Sequence, residues 1–220
     1  MNATLPRDTL PTSGSLRSLP NPPRQTVRMR RATTLATLPD MAELNDITFD
    51  KMDGSEGTLA DHAGDVVLVV NVASQCGLTP QYAGLQELYS QKAGEGFTVL
   101  AFPANNFGAQ EPGTDAEIAE FCTSQYAVTF PVMSKISVVG DDQHPLYATL
   151  TEAAPTADGK DAMREGLRGH GMSPTEDPDV LWNFEKFLIA RDGTVVGRFA
   201  PAVAPEDPAL VGAIEAELAK

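Results

Sequence analysis

The hydrophobic pattern of the chain is strongest at residues 66–74 (VVLVVNVAS), which are mostly β-branched or apolar and carry no charge. A run of this kind is typical of a strand that is buried on both faces of a sheet. It ends in the turn-like segment 75–80 (QCGLTP), and apolar residues then recur at helical spacing from about Thr79. The pattern therefore predicts a central strand followed at once by a helix, with Cys76 in the turn between them.

A second buried strand is predicted at residues 97–102, after a glycine-rich break at 94–96 ends the helix. Strand, helix and strand at this spacing predict a right-handed βαβ unit with parallel strands. A loop rich in Gly, Pro and Asn follows at 103–113. Thr114 and Glu117 then form the signature of a capping box, which predicts the start of another helix.

The remaining pattern predicts a short first strand, a helix, a polar surface insertion containing a short helix, a hairpin around an Asp-Gly turn, and a final helix. These elements are predicted at about 47–52, 144–153, 155–180 (with the helix at 162–167), 184–199 and 205–218. The order predicts an α/β fold in which a central mixed β-sheet is flanked by helices. That architecture is thioredoxin-like, and it places its chemistry at the carboxyl ends of the parallel strands.

Residues 1–40 differ in composition from the rest of the chain. They hold six arginines against two acidic residues, whereas the rest holds 10 basic and 28 acidic residues. Pro, Ser and Thr fill the segment without hydrophobic periodicity, so we expect a disordered basic tail before a domain at 41–220. The segment superficially resembles an organelle transit peptide, although its prolines oppose an amphipathic helix. Translation could also begin at Met41.

Composition restricts the function classes. A net charge of −14 disfavours nucleic acid and anionic membranes as partners, and no apolar stretch approaches the roughly 20 residues of a membrane span. Two cysteines and three histidines (His62, His144 and His170) are too few for a disulfide framework or a zinc site. We therefore expect no metal and no cofactor, and a reducing, cytoplasmic location.

Cys76 has two interpretations. At the start of a helix, free backbone N–H groups and the helix macrodipole favour a thiolate, and therefore a reactive cysteine. A small buried cysteine that only packs in the core is the alternative. The polar residues before Cys76 and Gly77 after it favour a turn, and with it the reactive interpretation.

Four stretches of the sequence together resemble the glutathione peroxidase family, in the same order and with similar spacing. They are residues 71–79 (NVASQCGLT), 102–114 (FPANNFGAQEPGT), 130–132 (FPV) and 182–188 (WNFEKFL). The resemblance spans about residues 44–220. It implies a thiol peroxidase of the oxidative stress response, which reduces hydrogen peroxide or organic hydroperoxides through a cysteine sulfenic acid.

The resemblance also implies the residues of the site. The family gathers a cysteine or selenocysteine, a glutamine, a tryptophan and an asparagine around the peroxide, and these correspond to Cys76, Gln110, Trp182 and Asn183. Amide and indole N–H groups suit this chemistry, because they can stabilise a thiolate without neutralising it. Taken singly, Gln110 could cap a loop, Trp182 could fill a core and Asn183 could occupy a turn.

Cys122 corresponds to the resolving cysteine of thioredoxin-dependent members of the family. In that role it would attack the sulfenic acid of Cys76 and form a disulfide, although a merely buried helical cysteine is the alternative. From a helix it is too far from Cys76 to bond without local unwinding, so we expect two separate thiols and a weakly held helix. The resemblance implies thioredoxin or glutathione as the reductant, and the shortage of basic residues for glutathione's carboxylates argues against glutathione.

Other functions on the same fold stay open from the sequence. A general disulfide oxidoreductase would need a C-x-x-C motif, but Thr79 stands where the second cysteine would be. A non-enzymatic peroxide sensor or thiol-disulfide relay could use Cys76 and Cys122. The oligomeric state stays open, and the 155–180 insertion could cover part of the pocket or build a subunit contact.

Overall fold

The computed structural model describes residue 1 and residues 41–157 and 159–220, so the predicted tail at 1–40 lies, apart from residue 1, outside the described residues. The helices are α1 (Met41–Asp46), α2 (Gln81–Lys92), α3 (Asp115–Tyr126), α4 (Pro145–Ala153), α5 (Lys160–Gly169) and α6 (Pro208–Leu218). The strands are β1 (Phe49–Asp50), β2 (Glu56–Gly57), β3 (Val66–Val72), β4 (Phe97–Pro103), β5 (Lys186–Ile189) and β6 (Val195–Phe199). Short 3-10 helices cover Leu59–His62 and Ala93–Glu95.

Four strands form the main sheet in the order β4-β3-β5-β6. β3 pairs in parallel with β4, with Val72 opposite Pro103 at the end of the ladder. It pairs antiparallel with β5, with Val70 opposite Lys186, and β6 continues the antiparallel half. The predicted α/β architecture, a mixed sheet flanked by helices with α2 joining the parallel pair, is confirmed.

The two parallel strands form the centre of the hydrophobic core. All seven residues of β3 and all seven of β4 are buried, as their continuous apolar sequences predict for strands covered on both faces. Asn71 is the polar exception in β3, and it is fully buried. A buried amide must find hydrogen-bond partners, and those of Asn71 lie in the loop before β5.

Helix ends agree with the local sequence signals. The capping box at the start of α3 is confirmed, since the Glu117 backbone N–H donates to the Thr114 hydroxyl and the Thr114 N–H donates to the Glu117 carboxylate. His144 is the N-cap of α4, where its Nδ1 accepts from the Leu146 N–H at 3.2 Å. That contact gives His144 a structural role.

Three differences from the predicted elements have local causes. The first strand is limited to Phe49–Asp50 and pairs with β2 in a separate two-stranded sheet, because Gly54, with φ of 80°, closes a turn directly after it. α2 begins at Gln81 rather than near Thr79, because residues 74–80 form turns. The 155–180 insertion holds a longer helix than expected and is partly buried, with Lys160 only 2% exposed.

The sheet register brings three loops to the carboxyl end of β3. The Phe184 N–H donates to the Asn71 carbonyl at 2.6 Å, and the Ala104 N–H donates to the Val72 carbonyl at 3.0 Å. The three loops are residues 73–80 after β3, residues 104–114 after β4, and residues 181–185 before β5. Each loop carries at least one of the residues that the sequence predicts for the site.

Candidate active site

Cys76 lies in the turn that follows β3, with 8% of its surface exposed. Its backbone N–H donates to the Thr79 hydroxyl at 3.0 Å, and that hydroxyl donates in turn to the Ala73 carbonyl at 2.8 Å. Thr79 therefore closes a ring of hydrogen bonds around the turn and fixes the backbone on both sides of Cys76. The sequence analysis missed Thr79, although a Thr three residues after a turn residue is a recognised side-chain turn signal.

The donor nearest to the sulfur comes from the turn and not from the helix. The Leu78 N–H points at the Cys76 Sγ with a distance of 3.4 Å between nitrogen and sulfur. The predicted position of Cys76, in a turn between β3 and the next helix, is confirmed, although α2 begins only at Gln81 and the turn is longer than expected. The Leu78 N–H is a hydrogen-bond donor that a thiolate can accept from.

Gln110 and Asn183 are in direct contact. The Asn183 Nδ2–H donates to the Gln110 Oε1 at 2.9 Å, and the Gln110 backbone carbonyl accepts from the Gln75 N–H at 3.0 Å. Gln75 precedes Cys76, so one residue of the β4 loop joins the cysteine turn to the loop before β5. Asn183 is fully buried, and its Oδ1 has no hydrogen-bond partner among the described residues.

Trp182 is held at the same edge of the sheet by packing and by its backbone. Its ring lies against Phe107 of the β4 loop, with centroids 5.3 Å apart, and 8% of the residue is exposed. The Trp182 carbonyl accepts from the Asn71 side-chain amide at 3.1 Å, and Asn71 also accepts from the Glu185 N–H at 3.0 Å. Asn71 thus holds the loop on both sides of Asn183.

Phe184 gives this loop an unusual backbone. Its φ of 68° lies in the left-handed region, which non-glycine residues seldom adopt. The Phe184 side chain is fully buried and packs edge-on against Tyr82, with ring centroids 5.5 Å apart. Backbone strain of this kind persists only where surrounding contacts impose it, and it concentrates at functional sites.

Glu111 is a buried carboxylate that the sequence analysis did not single out. It is 1% exposed, and its carboxylate accepts from the Ser74 hydroxyl at 3.1 Å, two residues before Cys76. Burial raises the pKa of Glu111, while the bond from Ser74 and the more distant charge of Lys135 oppose that rise. Its position between Gln110 and Pro112 resembles an exposed loop residue, so the sequence offers no signal of its burial.

Cys122 lies apart from this group, on α3, and is 2% exposed. It is close to the Tyr82 phenol, which belongs to α2. Burial raises the pKa of the Cys122 thiol, and the neighbouring Tyr82 phenol partly offsets this rise. Cys76 and Cys122 are both free thiols, as expected. Of the α3 side chains, Ile118 and Cys122 are the buried ones.

A cavity of about 410 Å³ opens between the cysteine turn, the β4 loop and α3. Its lining residues are Ser74, Gln75, Glu111, Pro112, Gly113, Glu117, Ile118 and Phe121. The cavity therefore adjoins Cys76 through the two residues that precede it, and adjoins Cys122 through its α3 neighbours. Two carboxylates and no basic side chain line it.

The glutathione peroxidase family model matches residues 44–151. The thioredoxin/glutathione peroxidase BtuE of Escherichia coli is 49% identical over 171 residues, which are 77% of this chain and 93% of that protein. The chain belongs to the glutathione peroxidase family. The hydroperoxy fatty acid reductase gpx1 of Synechocystis is 46% identical over 156 residues, covering 71% of this chain and 85% of that protein. The chain is therefore a thiol peroxidase.

A solved structure of the same family agrees with the observed architecture. The crystal structure of T. cruzi GPX1 aligns with a TM-score of 0.57 and 33% identity, covering 81% of this chain and 96% of that one. The thioredoxin-like fold that the sequence predicts is thereby confirmed. Among the described residues, no helix has the length and apolar character to cross a bilayer, and no three His, Cys, Asp or Glu residues are grouped as metal ligands.

Proposed function

We propose that Cys76 is the nucleophile that reduces hydroperoxides, and that Gln110, Trp182 and Asn183 hold the peroxide beside it. The Cys76 thiolate attacks one peroxide oxygen, the O–O bond breaks, and the departing hydroxide or alkoxide takes up a proton to become water or an alcohol. The sulfur is left as a sulfenic acid. The observation that carries this proposal is the Asn183–Gln110 hydrogen bond, which is anchored to the backbone of the residue before Cys76.

The polar groups of this site suit a hydroperoxide. Asn183 Oδ1 is a buried acceptor without a partner among the described residues, so a peroxide O–H can donate to it. Because Gln110 Oε1 already accepts from Asn183, the Gln110 Nε2–H groups are the part of that amide left to donate. With the Trp182 indole N–H, they can stabilise the charge that develops on the oxygen as the O–O bond breaks.

Cys122 completes the cycle as the resolving cysteine. Its thiol loses a proton, the thiolate attacks the Cys76 sulfur, and the S–O bond breaks; the hydroxide that leaves takes up a proton to become water. A Cys76–Cys122 disulfide results, and it requires α3 to unwind locally. Two side chains are buried on α3, against three on α2 of the same length, and a helix with fewer buried contacts opens at lower cost.

The reductant we propose is a dithiol protein of the thioredoxin class. Glu111 and Glu117 line the cavity between the cysteine turn and α3, and its lining holds no basic side chain. That surface repels the carboxylates of glutathione, whereas a dithiol protein can reduce the disulfide by exchange at an exposed edge. The name of the E. coli relative includes both thioredoxin and glutathione. Two free thiols suit a reducing compartment such as the cytoplasm.

Stopped-flow oxidation tests the proposal on the purified full chain. With hydrogen peroxide, Cys76→Ser should lose fast turnover, while Cys122→Ser should give one rapid burst of sulfenic acid and then stop. Wild-type turnover should be sustained by thioredoxin and its reductase, and only slowly by glutathione. Normal cycling of Cys122→Ser with thioredoxin would show that Cys122 does not resolve the sulfenic acid.

A further inference from the structure

The 155–180 insertion is anchored beneath the peroxide site by a buried ionic cluster. Lys160, at the start of α5, is 2% exposed, and its ammonium lies 2.8 Å from the Asp177 carboxylate and 3.3 Å from the Glu185 carboxylate. The Arg198 side chain of β6 is fully buried and lies 2.6 Å from the same oxygen of Glu185. We call these four residues the Glu185 cluster. The cluster holds two cations and two carboxylates, and Arg164 of α5, which is also buried, adds a third cation 3.1 Å from the Asp177 carboxylate.

Glu185 connects the cluster to the loop that carries Trp182 and Asn183. Its second carboxylate oxygen accepts from the Leu181 backbone N–H at 2.6 Å, so the carboxylate spans the loop from one end to the other. Its first oxygen accepts from Arg198. Glu185 is fully buried, and its two oxygens thereby tie the Trp182–Asn183 loop to the insertion and to β6.

The chain that enters the loop is held by the same two cations. Lys160 Nζ and Arg198 Nη2 both donate to the Asp179 carbonyl, each at 2.9 Å. Arg198 Nη1 also donates to the Pro178 carbonyl at 2.8 Å. Residues 178–181 are therefore fixed up to the residue before Trp182, and one of the three contacts from cations to their carbonyls comes from Lys160 of α5.

We propose that Lys160 is a positioning residue for the peroxide reaction, and that the insertion acts on Trp182 and Asn183 through Glu185 rather than by covering the pocket. This inference rests on the proposed roles of Trp182 and Asn183. Without the Lys160 ammonium, Glu185 keeps Arg198 and the Leu181 N–H, so the sheet stays paired. The Asp177 carboxylate is left with Arg164 and the Asp179 carbonyl with Arg198, so the segment that leads into Trp182 loses one of its anchors and is held less firmly.

Trp182 supplies a direct measurement, because it is the chain's only tryptophan. In Lys160→Met, the Trp182 emission should shift to longer wavelength and acrylamide quenching should increase, since the ring gains contact with water. The second-order rate constant for oxidation of Cys76 by peroxide should fall about tenfold, as displacement of an orienting group costs rate steeply. The rate of reduction by thioredoxin should stay unchanged, because that step does not use the Trp182–Asn183 loop.

Arg168→Met is the matched control. Arg168 lies on the same helix and pairs with Glu176, but its side chain is 52% exposed and the pair is outside the Glu185 cluster. Its emission, quenching and peroxide rate should equal those of the wild type. If Lys160→Met fails to fold, Asp177→Asn serves instead: it removes the charge of a partly exposed partner of Lys160, and should produce smaller changes of the same sign.

The outcomes separate this inference from the proposed function. Wild-type emission and wild-type peroxide rate in Lys160→Met, or in Asp177→Asn where Lys160→Met does not fold, would overturn the positioning role. A loss of thermal stability with both readouts unchanged would also overturn it, since the lysine would then be only structural. If Trp182→Phe reacts with peroxide at the wild-type rate, the proposed role of Trp182 is wrong, whatever Lys160→Met shows. If Trp182→Phe reacts slowly with peroxide while Lys160→Met reacts at the wild-type rate, the proposed role of Trp182 stands and only the positioning role of Lys160 is wrong.

Discussion

The side chains of Gln110 and Asn183, 73 residues apart in sequence, share a hydrogen bond of 2.9 Å at the end of the central strand. Neither residue lies in a helix or a strand. Each reaches this position because its loop follows or precedes a strand that pairs with β3. The sheet therefore brings the two amides together, and either amide alone would be an ordinary loop residue.

Removal of the Gln110 amide should slow the peroxide reaction strongly. Gln110→Ala deletes an acceptor for Asn183 and, under the proposed function, a donor to the developing oxygen charge, so the rate constant of Cys76 oxidation should fall about 100-fold. Stopped-flow measurement on the reduced protein gives this rate. Asn183→Ala should have a similar effect, and the double variant should lose less than the two losses combined, because the residues act through one bond.

Gln86→Ala is the control for that series. Gln86 is also a partly buried glutamine whose amide accepts from a distant backbone N–H, that of Thr129, at 2.7 Å. It belongs to α2 and is outside the three loops of the site. Its loss should affect stability modestly and leave the peroxide rate unchanged. If Gln110→Ala and Gln86→Ala react with peroxide at the same rate, Gln110 has no role in the peroxide reaction.

The two thiols should differ in reactivity before any peroxide is added. Cys122 is 2% exposed and burial raises the pKa of its thiol, whereas Cys76 has a backbone N–H directed at its sulfur. At neutral pH, iodoacetamide should therefore alkylate Cys76 many times faster than Cys122, as mass spectrometry of timed samples can show. Urea below the denaturing concentration should accelerate the alkylation of Cys122 selectively, because α3 must open to expose that thiol. Equal rates at both positions in the native protein would contradict this prediction.

Elements with a local cause were predictable from the sequence. The apolar runs of β3 and β4, the capping box at Thr114 and the Asp-Gly turn between β5 and β6 each depend on residues that are close in sequence. The observed bounds of those elements differ from the expected ones by a few residues. Spacing and residue type were sufficient there because helix caps, turns and buried strands are decided locally.

The supporting structure around the site was not predictable in the same way. Glu185 is within a recognised motif, but its carboxylate binds Lys160 and Arg198, which lie in an insertion and in another strand. Glu111 stands in a polar loop sequence and is nevertheless 1% exposed. Burial of a charge depends on tertiary packing, so the pattern of neighbouring residues carries no record of it.

Thr79 should stabilise the turn that holds Cys76. Thr79→Val keeps the shape of the side chain but removes the hydroxyl, which leaves the Cys76 N–H and the Ala73 carbonyl without their partner. The free energy of unfolding should fall by about 1–3 kcal/mol, the cost of unpaired buried polar groups. Urea unfolding measures it, and the peroxide rate should fall with it. Thr79→Ser keeps the hydroxyl and should retain most of both; a Ser variant as impaired as the Val variant would contradict the hydrogen-bond explanation.

Glu111 should make the protein less stable as pH rises above the usual pKa of a glutamate. Burial raises the pKa of Glu111 from 4.5, so the folded chain keeps a proton in a pH range where the unfolded chain has released it. Unfolding therefore becomes more favourable as pH rises through that range. Glu111→Gln keeps an acceptor for Ser74 and cannot ionise. Its free energy of unfolding, relative to the wild type, should increase from pH 4.5 towards neutral pH.

Glu117→Gln should show the opposite sign and is the control. Hydrogen bonds from Thr114 lower the pKa of Glu117, so ionised Glu117 contributes stability above pH 4.5 that is lost as pH falls through its folded pKa. Urea unfolding of both variants across the same pH series compares them directly. Relative to the wild type, Glu117→Gln should be less stable at neutral pH, and weakly so, because its carboxylate is exposed and screened by solvent. A Glu111→Gln difference that is constant with pH would show that the Glu111 carboxyl ionises alike in the folded and unfolded chain.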